Sequence, residues 1–153
     1  MTQIVSIFAA IAGLQPAWSG GATPIVWNGA VVGNIKSSLT SAQLPLRILS
    51  TTGDLEGRDF AFIALGKLSK VTWVIEDLLL AKAVAEGDSI KGMSASLVGY
   101  CDSYITKLRD LRAPSDQSHV LRANYKPGTY EWAGLMCFGV RCLIEVEEIQ
   151  SAA

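Results

Sequence analysis

The segment that decides the fold is residues 90–111, IKGMSASLVGYCDSYITKLRDL. Apolar side chains recur in it every three or four residues, the spacing that places them on one face of an α-helix. The members of this stripe are Ile90, Met93, Leu97, Cys101, Tyr104, Ile105, Leu108 and Leu111. A helix with one continuous apolar stripe has to bury it, so we expect this helix to cover a sheet.

Both ends of the predicted helix carry residues that favour helix ends. Asp88 and Ser89 precede it, and either side chain suits the N-cap, where an oxygen accepts a hydrogen bond from a free backbone N–H. Basic residues cluster between Lys107 and Arg112, where they interact favourably with the helix dipole. Pro114 then prevents the helix from continuing.

Two stretches before this helix, residues 60–66 and 70–80, are rich in β-branched and aromatic residues. Such composition favours strands, and the polar break at residues 66–69 separates them. In the second stretch two sets alternate: Val71, Trp73 and Ile75 with Thr72, Val74 and Glu76. Successive side chains of a strand point to opposite faces, so we expect one face of the sheet to be more buried.

The N-terminal segment has the spacing of a short amphipathic helix. Its apolar residues are Ile4, Ile7, Phe8, Ile11 and Leu14. No Lys or Arg precedes them, although a signal peptide begins with basic residues. No apolar run approaches the ~20 residues that a membrane-spanning helix needs. We therefore predict a helix over residues 3–14 that packs or docks, and neither a leader peptide nor a membrane span.

The connection after this first helix predicts a loop and then a hairpin. Residues 15–24 contain two prolines and two glycines, which interrupt regular structure. Residues 25–27 and 30–32 are apolar and flank Asn28-Gly29, a strong signal for a tight hairpin turn. We expect a short hairpin here.

Residues 44–49, LPLRIL, are typical of an extended segment whose proline lies at an edge or at the start of a strand. Polar residues 51–59 follow, and we expect them to form a protruding loop between strands.

Strands are also predicted after the long helix. Residues 118–125 favour a strand that ends at 126–128, KPG. Residues 130–149 are long for one strand, and Gly134 or Gly139 is suited to a bulge or bend. Beyond it two sets alternate: Val140, Cys142, Ile144 and Val146 with Arg141, Leu143, Glu145 and Glu147. This pattern predicts a half-exposed strand near the C-terminus.

The order helix, strands, helix, strands predicts an α+β fold. We expect a mostly antiparallel sheet covered by one long helix, about residues 90–111, plus a short N-terminal helix. The length of 153 residues is close to the commonest size of a domain, so a single domain over residues 1–153 is expected.

Composition narrows the classes of function. The formal net charge is −1 and the sequence pI about 5.8, which gives no overall attraction to nucleic acid or to acidic membranes. Charged residues make up 18% of the chain, below the roughly 25% of typical soluble proteins. This surplus of apolar residues favours contact with protein partners.

The reactive residue types do not form a recognisable catalytic or metal-binding motif. Cys101, Cys137 and Cys142 contain no CxxC pair, and His119 is the single histidine, so zinc ligands are lacking. We expect the cysteines to be buried, reduced residues. His119 with Asp116 and Ser118, or with Cys101, would need a convergence in space that spacing alone does not show.

Neither carboxylate pairs nor glycines predict a site. Acid–base pairs are possible on paper for Glu76 with Asp77 and among Glu145, Glu147 and Glu148. The alternate positions 145 and 147 share one face of a strand, which is more typical of a solvated face than of acid–base catalysis. The segment 53–57 lacks the Lys and Ser/Thr of a phosphate-binding loop. We therefore expect no catalytic residue, no cofactor and no metal.

Candidates for protein contacts come from the aromatic residues. Trp18, Trp27 and Trp132 lie outside the periodic stripes, and tryptophan is enriched at interface anchors. Packing in the chain's own core is an equal alternative for Trp18 and Trp27, and the favoured one for Trp73. Arg58, in the predicted protruding loop, is a fourth contact candidate.

This order of elements resembles that of the small tail-terminator and tail-completion proteins at the head–tail junction of long-tailed bacteriophages. Those proteins open with an amphipathic helix, continue through an extended Leu-Pro segment and a long alternating strand, cross the sheet with one long helix and end in a hairpin. The matching segments are residues 3–14, 44–48, 70–80, 90–111, 130–134 and 140–146. Residues 16–32 have no match in that order.

The resemblance implies a structural virion protein that is made in the host cytoplasm. It would form a homo-oligomeric, hexameric ring that caps the tail tube, meets the neck or connector proteins, and lets DNA pass through without binding a specific sequence. It implies no catalytic residue, no cofactor and no membrane partner. Two alternatives stay open: another head–tail adaptor or capsid-associated protein, and a small enzyme that uses Cys101 or His119.

Overall fold

The computed structural model describes residues 4–30, 38–51, 59–63, 68–85, 89–111 and 118–151. Within these ranges the elements are α1 (Ile4–Ala12), β1 (Ile25–Asn28), β2 (Leu46–Thr51), β3 (Asp59–Ile63), β4 (Leu68–Ala83), α2 (Ser94–Leu111), β5 (Ser118–Trp132) and β6 (Leu135–Ser151). Short 3-10 turns at Ser41–Gln43 and Ile90–Met93 precede β2 and α2. Most of the predicted protruding loop at 51–59 lies outside the described residues. Part of the predicted polar break at 66–69 also lies outside them.

The strands form one mixed sheet in the order β1-β2-β4-β6-β5, and β3 pairs with β4 beside this path. Every pairing is antiparallel except that of β1 with β2, where Ile25 lies opposite Leu46 and Trp27 opposite Ile48. The α+β class is therefore confirmed, and the sheet is mixed because of this one parallel pair.

The partner of β1 differs from the predicted hairpin. Ala30 lies in a turn, residues 31–32 lie outside the described ranges, and β1 pairs with β2 instead. The connection between the two strands has the dozen or more residues that parallel pairing requires. A local Asn28-Gly29 turn thus accompanies a long-range pairing that the turn signal did not indicate.

Both helices pack on the same face of the sheet, here called the helix-covered face. The predicted alternation in β4 is confirmed, since Val71, Trp73 and Ile75 are at most 5% exposed. The even positions of β6 from Val140 to Val146 are buried on the same face, as predicted. The core beneath the helices also includes Ile7, Phe8 and Ile11 of α1 and Leu97, Tyr100, Cys101, Tyr104 and Leu108 of α2.

The opposite face of the sheet carries a second, smaller core at one end. Its buried members are Trp27, Leu46, Ile48, Leu78, Leu80 and Cys137. Leu39 and Leu44, which precede β2, pack against it together with Tyr130, Trp132 and Leu135. Beyond this core the same face carries exposed or half-buried ion pairs such as Arg141–Glu76 and Arg122–Glu145.

The C-terminal hairpin is longer than predicted. β5 was expected to end at 126–128 but continues through Pro127 to Trp132, because a proline is tolerated in a strand at the edge of a sheet. The chain turns at Ala133-Gly134, both with positive φ. Gly139 lies so close to β4 that a Cβ there would be 1.8 Å from the Leu79 carbonyl oxygen, next to a register shift between Leu80 and Lys82.

The long helix is confirmed over residues 90–111, beginning as a 3-10 turn that Ser89 caps by accepting a hydrogen bond from the backbone N–H of Lys91. Two members of its face differ from the prediction. Tyr100, outside the predicted stripe, is 1% exposed, whereas Ile105, inside it, is 37% exposed. The predicted stripe was therefore displaced around the helix by part of a turn, and Ile105 lies at the margin of the core.

Candidate functional site

A buried ion pair joins the two strands that carry Arg47 and Asp77. Arg47 is 2% exposed and Asp77 1%, and both side chains lie on the helix-covered face. Arg47 Nη2 donates to Asp77 Oδ2 at 2.5 Å, and Arg47 Nε donates to Asp77 Oδ1 at 3.3 Å and to Asp77 Oδ2 at 3.2 Å. A paired charge that also has its remaining hydrogen bonds satisfied is tolerated in a core.

The same arginine fastens α1 to the sheet. Arg47 Nη1 donates to the Leu14 carbonyl oxygen at 2.6 Å and Arg47 Nη2 to the Ile11 carbonyl oxygen at 3.3 Å. Ile11 lies in the last turn of α1 and Leu14 lies two residues beyond its end, where the i to i−4 hydrogen bonds of the helix no longer continue. From the other side, the Tyr104 hydroxyl of α2 donates to Asp77 Oδ2. One polar cluster therefore links α1, β2, β4 and α2.

The electrostatics of this polar cluster favour the charged form of Arg47. Burial lowers the pKa of Arg47, but Asp77, Tyr100 and Tyr104 together outweigh it, so the pKa of the guanidinium is raised. Burial, followed by the charge of Asp77, raises the pKa of Tyr104 well above its ordinary value. The raised pKa values keep Arg47 charged and Tyr104 protonated across the neutral range, so both side chains retain the hydrogen bonds that link the helices to the sheet.

The sequence pattern did not indicate this polar cluster, and Asp77 was considered only beside Glu76 as a possible acid–base pair. Glu76 and Asp77 point to opposite faces, and only Asp77 faces the core. The available signal was one cation and one anion, each within an apolar strand. By contrast Glu145 and Glu147 share the half-exposed face, as expected, while Glu148 is fully buried and accepts a hydrogen bond from Trp73 Nε1 at 2.7 Å.

Cys101 and His119, the two candidate catalytic residues, lie on different sides of the sheet. Cys101 lies on α2 above the helix-covered face, and burial raises the pKa of its thiol, which disfavours the reactive thiolate. The His119 side chain is 52% exposed, and its Nε2 lies 3.7 Å from Glu147 on the opposite face. Cys101 and His119 therefore do not form a pair, the adjacent Ser118 is buried while His119 is exposed, and Asp116 lies outside the described residues.

The described part of the chain holds no cluster of three or more His, Cys, Asp or Glu side chains that could bind a metal ion. Cys101, Cys137 and Cys142 are free and buried, as expected. Neither α1 nor α2 combines the length and the apolar character that crossing a bilayer requires.

The predicted contact residues have different environments. Trp27 is 6% exposed and fills the smaller core, which is the alternative that had been left open for it. Trp18 is half-buried and packs edge-on against Tyr100 with ring centroids 6.4 Å apart. Trp132 is half-buried near the end of β5, and Arg58 lies outside the described residues.

The surface that stands out is the outer edge of β5. This strand has 15 residues, and no other strand in the described ranges pairs with its outer side. Beside it a groove of about 520 Å³ runs between α2 and β5. We call it the α2–β5 groove; its lining residues are Ile105, Leu108, Arg109, Val120, Leu121, Arg122, Ala123 and Tyr125.

The α2–β5 groove combines exposed apolar side chains with positive charge. Ile105 is 37% and Leu121 47% exposed. Arg109 and Arg122 are the charged residues of the lining. Apolar side chains that stay exposed next to an unpaired strand edge are typical of a surface that another polypeptide covers.

Comparison with models of known protein families and with curated proteins finds no match to this chain.

Proposed function

We propose that this protein is a structural subunit that assembles with copies of itself into a ring. The observation that carries the proposal is the outer edge of β5 with the exposed apolar groove beside it. Sheet edges and the grooves beside them are common places for polypeptides to join. The resemblance in element order to tail-terminator proteins supplies the kind of ring: a hexamer that caps a phage tail tube and joins it to the neck.

The two ends of the sheet support a head-to-tail arrangement. One end is β1, with 4 residues, and the other is β5, with 15 residues. These ends differ in length and in their surroundings, so they do not form equivalent halves of one surface. Contacts between two different patches are heterologous, and they close into a ring when the rotation between subunits allows it.

The core supports a rigid building block. β4 and β6 pair along nearly their whole lengths, from Leu68 with Ser151 to Ala83 with Cys137. The polar cluster around Arg47 and Asp77 joins both helices to that sheet. A subunit that keeps its shape presents the same patches to each neighbour, as a closed ring requires.

Native mass spectrometry of the purified protein, alone and with tail tubes, tests this proposal. We expect a discrete oligomer, six subunits in the first instance, either in isolation or on the tube. A chain that stays monomeric and never binds tubes would contradict the proposed function.

The same surfaces would also serve another head–tail adaptor or a capsid-associated protein. Localisation of the subunit in a density map of the virion separates these roles: we expect it between the tail tube and the neck.

A further inference from the structure

The α2–β5 groove has a specific electrostatic character. Its lining contains Arg109 and Arg122 and no carboxylate. Arg122 pairs with Glu145 at 2.9 Å, and its side chain is 75% exposed. Arg109 is exposed and makes no ion pair with any residue that the structure describes. A complementary partner would bring an apolar side chain for Ile105 and Leu121 and a carboxylate for Arg109.

A surface patch with these two properties lies at the far end of the β5–β6 hairpin. Glu131 lies directly opposite Met136, in the pair next to the final pair Trp132–Leu135 of the hairpin. Both side chains are exposed, Met136 to 43%. We call these two residues the tip pair. Glu131 makes no ion pair within the described ranges. The tip pair therefore presents one free carboxylate next to one flexible apolar side chain, which adapts readily to an irregular groove.

The tip pair is held in one orientation. Trp132 and Leu135, its neighbours along the chain, pack against the smaller core on the opposite face. This leaves Glu131 and Met136 on the helix-covered face, the same side as the α2–β5 groove. The backbone N–H of Val84 also donates to the Met136 carbonyl oxygen at 2.9 Å. A contact surface that is already ordered loses little entropy on binding.

The tip pair and the α2–β5 groove of one chain do not meet. Leu121 and Glu131 lie on the same strand, and at about 3.4 Å per residue that strand separates them by roughly 30 Å. Because the paired strand β5 holds the two patches this far apart, the tip pair fills a groove only on another molecule.

We propose that the tip pair of one copy docks into the α2–β5 groove of the next, with Met136 between Ile105 and Leu121 and Glu131 paired with Arg109. This inference rests on the proposed function and identifies the contact that would build the ring. The contact joins two different patches, so it adds subunits head to tail.

Direct strand addition along β5 is less favourable than this docking. Pro127 interrupts the row of N–H donors that an incoming strand would need, and the register shift between Val120 and Arg122 bends the edge. The uninterrupted stretch between these features is short. Side-chain docking beside the edge uses the surface without requiring a continuous ladder.

Cross-linking between two variants, each with one added cysteine, tests the contact directly. Leu121→Cys places a thiol in the α2–β5 groove, and Met136→Cys places one in the tip pair. The native cysteines are buried, so a short bismaleimide should leave the unmodified chain unlinked. In the sample in which native mass spectrometry finds the ring, we expect a mixture of the two variants to give at least tenfold more linked dimer than either variant alone, as a heterologous contact requires.

Charge reversal provides the second measurement. Arg109→Glu and Glu131→Arg should each weaken subunit association by about tenfold or more, because each brings like charges together. The double variant restores the opposite charges and should recover association to within about threefold. Lys91→Glu, at an exposed position outside both patches, makes the same change of charge as Arg109→Glu and should have no effect.

The outcomes separate the two proposals. If a ring forms but the mixed variants link no better than the single ones, or charge reversal leaves association unchanged, the docking inference is overturned while the proposed function stands. Strong linking by Met136→Cys alone would indicate a symmetric contact and would also overturn the inference. If no ring forms, alone or on tubes, both proposals fail.

Discussion

At the residue scale, the buried hydroxyls of α2 show how one position in a core differs from its neighbour. Tyr100 and Tyr104 lie one turn apart and stack edge-on with ring centroids 5.8 Å apart. The Tyr104 hydroxyl donates to Asp77, whereas the Tyr100 hydroxyl has no hydrogen-bond partner among the described residues. Both rings are buried to a similar extent. The difference between them lies in the hydrogen bonding of their hydroxyl groups.

This difference predicts opposite responses to the same substitution. Tyr104→Phe removes a hydrogen bond to a buried carboxylate and should lower the free energy of unfolding by about 1.5–3 kcal/mol. Tyr100→Phe removes a hydroxyl with no partner to lose and should be neutral, within about 0.5 kcal/mol, or stabilising. Urea unfolding of both variants at equal protein concentration measures the difference. Equal losses in the two variants would contradict the assigned hydrogen bonding.

At the element scale, the turn of the β5–β6 hairpin departs from ideal chemistry. Ala133 has φ 51° and Gly134 φ 82°, a pattern that matches a two-residue turn with both central residues in the left-handed region. Glycine adopts that region readily at the second position, whereas alanine at the first position carries strain. Asn-Gly is the preferred pair for such turns.

Ala133→Asn should therefore stabilise the protein by about 0.5–1 kcal/mol. Ala133→Val is the matched control, because a β-branched side chain at positive φ should lower the stability by about 1 kcal/mol or more. Thermal or urea unfolding of the three proteins ranks them. A valine variant as stable as the asparagine variant would show that the turn is not strained.

The elements also show why two local interpretations failed. The Asn28-Gly29 signal predicts a turn well, but the choice of partner strand depends on residues 46–49, which lie far along the chain. A proline such as Pro127 ends a strand when a neighbouring strand needs its missing N–H donor. At the edge of a sheet no donor is needed on the outer side, so β5 continues to Trp132.

At the scale of the whole molecule, several ionisable groups are buried in their neutral forms. Burial, before any other cause, raises the pKa of Tyr100 and Tyr104 well above the ordinary value of 10.0. Burial likewise raises the pKa of the Cys142 thiol above its ordinary value of 9.0. The folded chain thus keeps protons at alkaline pH that the unfolded chain releases.

This predicts a loss of stability at alkaline pH. Below pH 9 both states hold these protons, and the stability from burying neutral groups is fully present. Above the ordinary values of 9.0 and 10.0 the unfolded state binds fewer protons than the folded state, so the free energy of unfolding falls as pH rises. The slope should approach about 1.4 kcal/mol per pH unit for each group.

Urea unfolding between pH 8 and pH 10.5 under reducing conditions measures this slope, and Tyr100→Phe should make it shallower by the share of one group. Tyrosine ionisation, followed by absorbance, should coincide with unfolding for the buried rings. A free energy of unfolding that stays constant to pH 10.5 would contradict the burial of neutral tyrosines.

The sequence by itself determined the helix over 90–111, the buried face of β4 and the alternation in β6, and hence a helix-covered α+β fold. These features follow from periodicity, which is local: three or four residues along a helix and two along a strand decide which side chains share a face. The half-exposed face of Glu145 and Glu147 follows from the same local alternation, whereas the buried cysteines were predicted from the absence of a CxxC pair and of further histidines.

Three features were decided only by the tertiary structure. They are the parallel pairing of β1, the Arg47–Asp77 ion pair, and the position of Ile105 beside Leu121 in the α2–β5 groove. Each joins residues that are distant in sequence, and strand register places Arg47 and Asp77 on one face within hydrogen-bonding distance. Whether Ile105 is covered depends on how α2 sits across β5, which periodicity does not encode. The α2–β5 groove is lined by residues of both elements, so it is a product of packing between segments that are not neighbours along the chain.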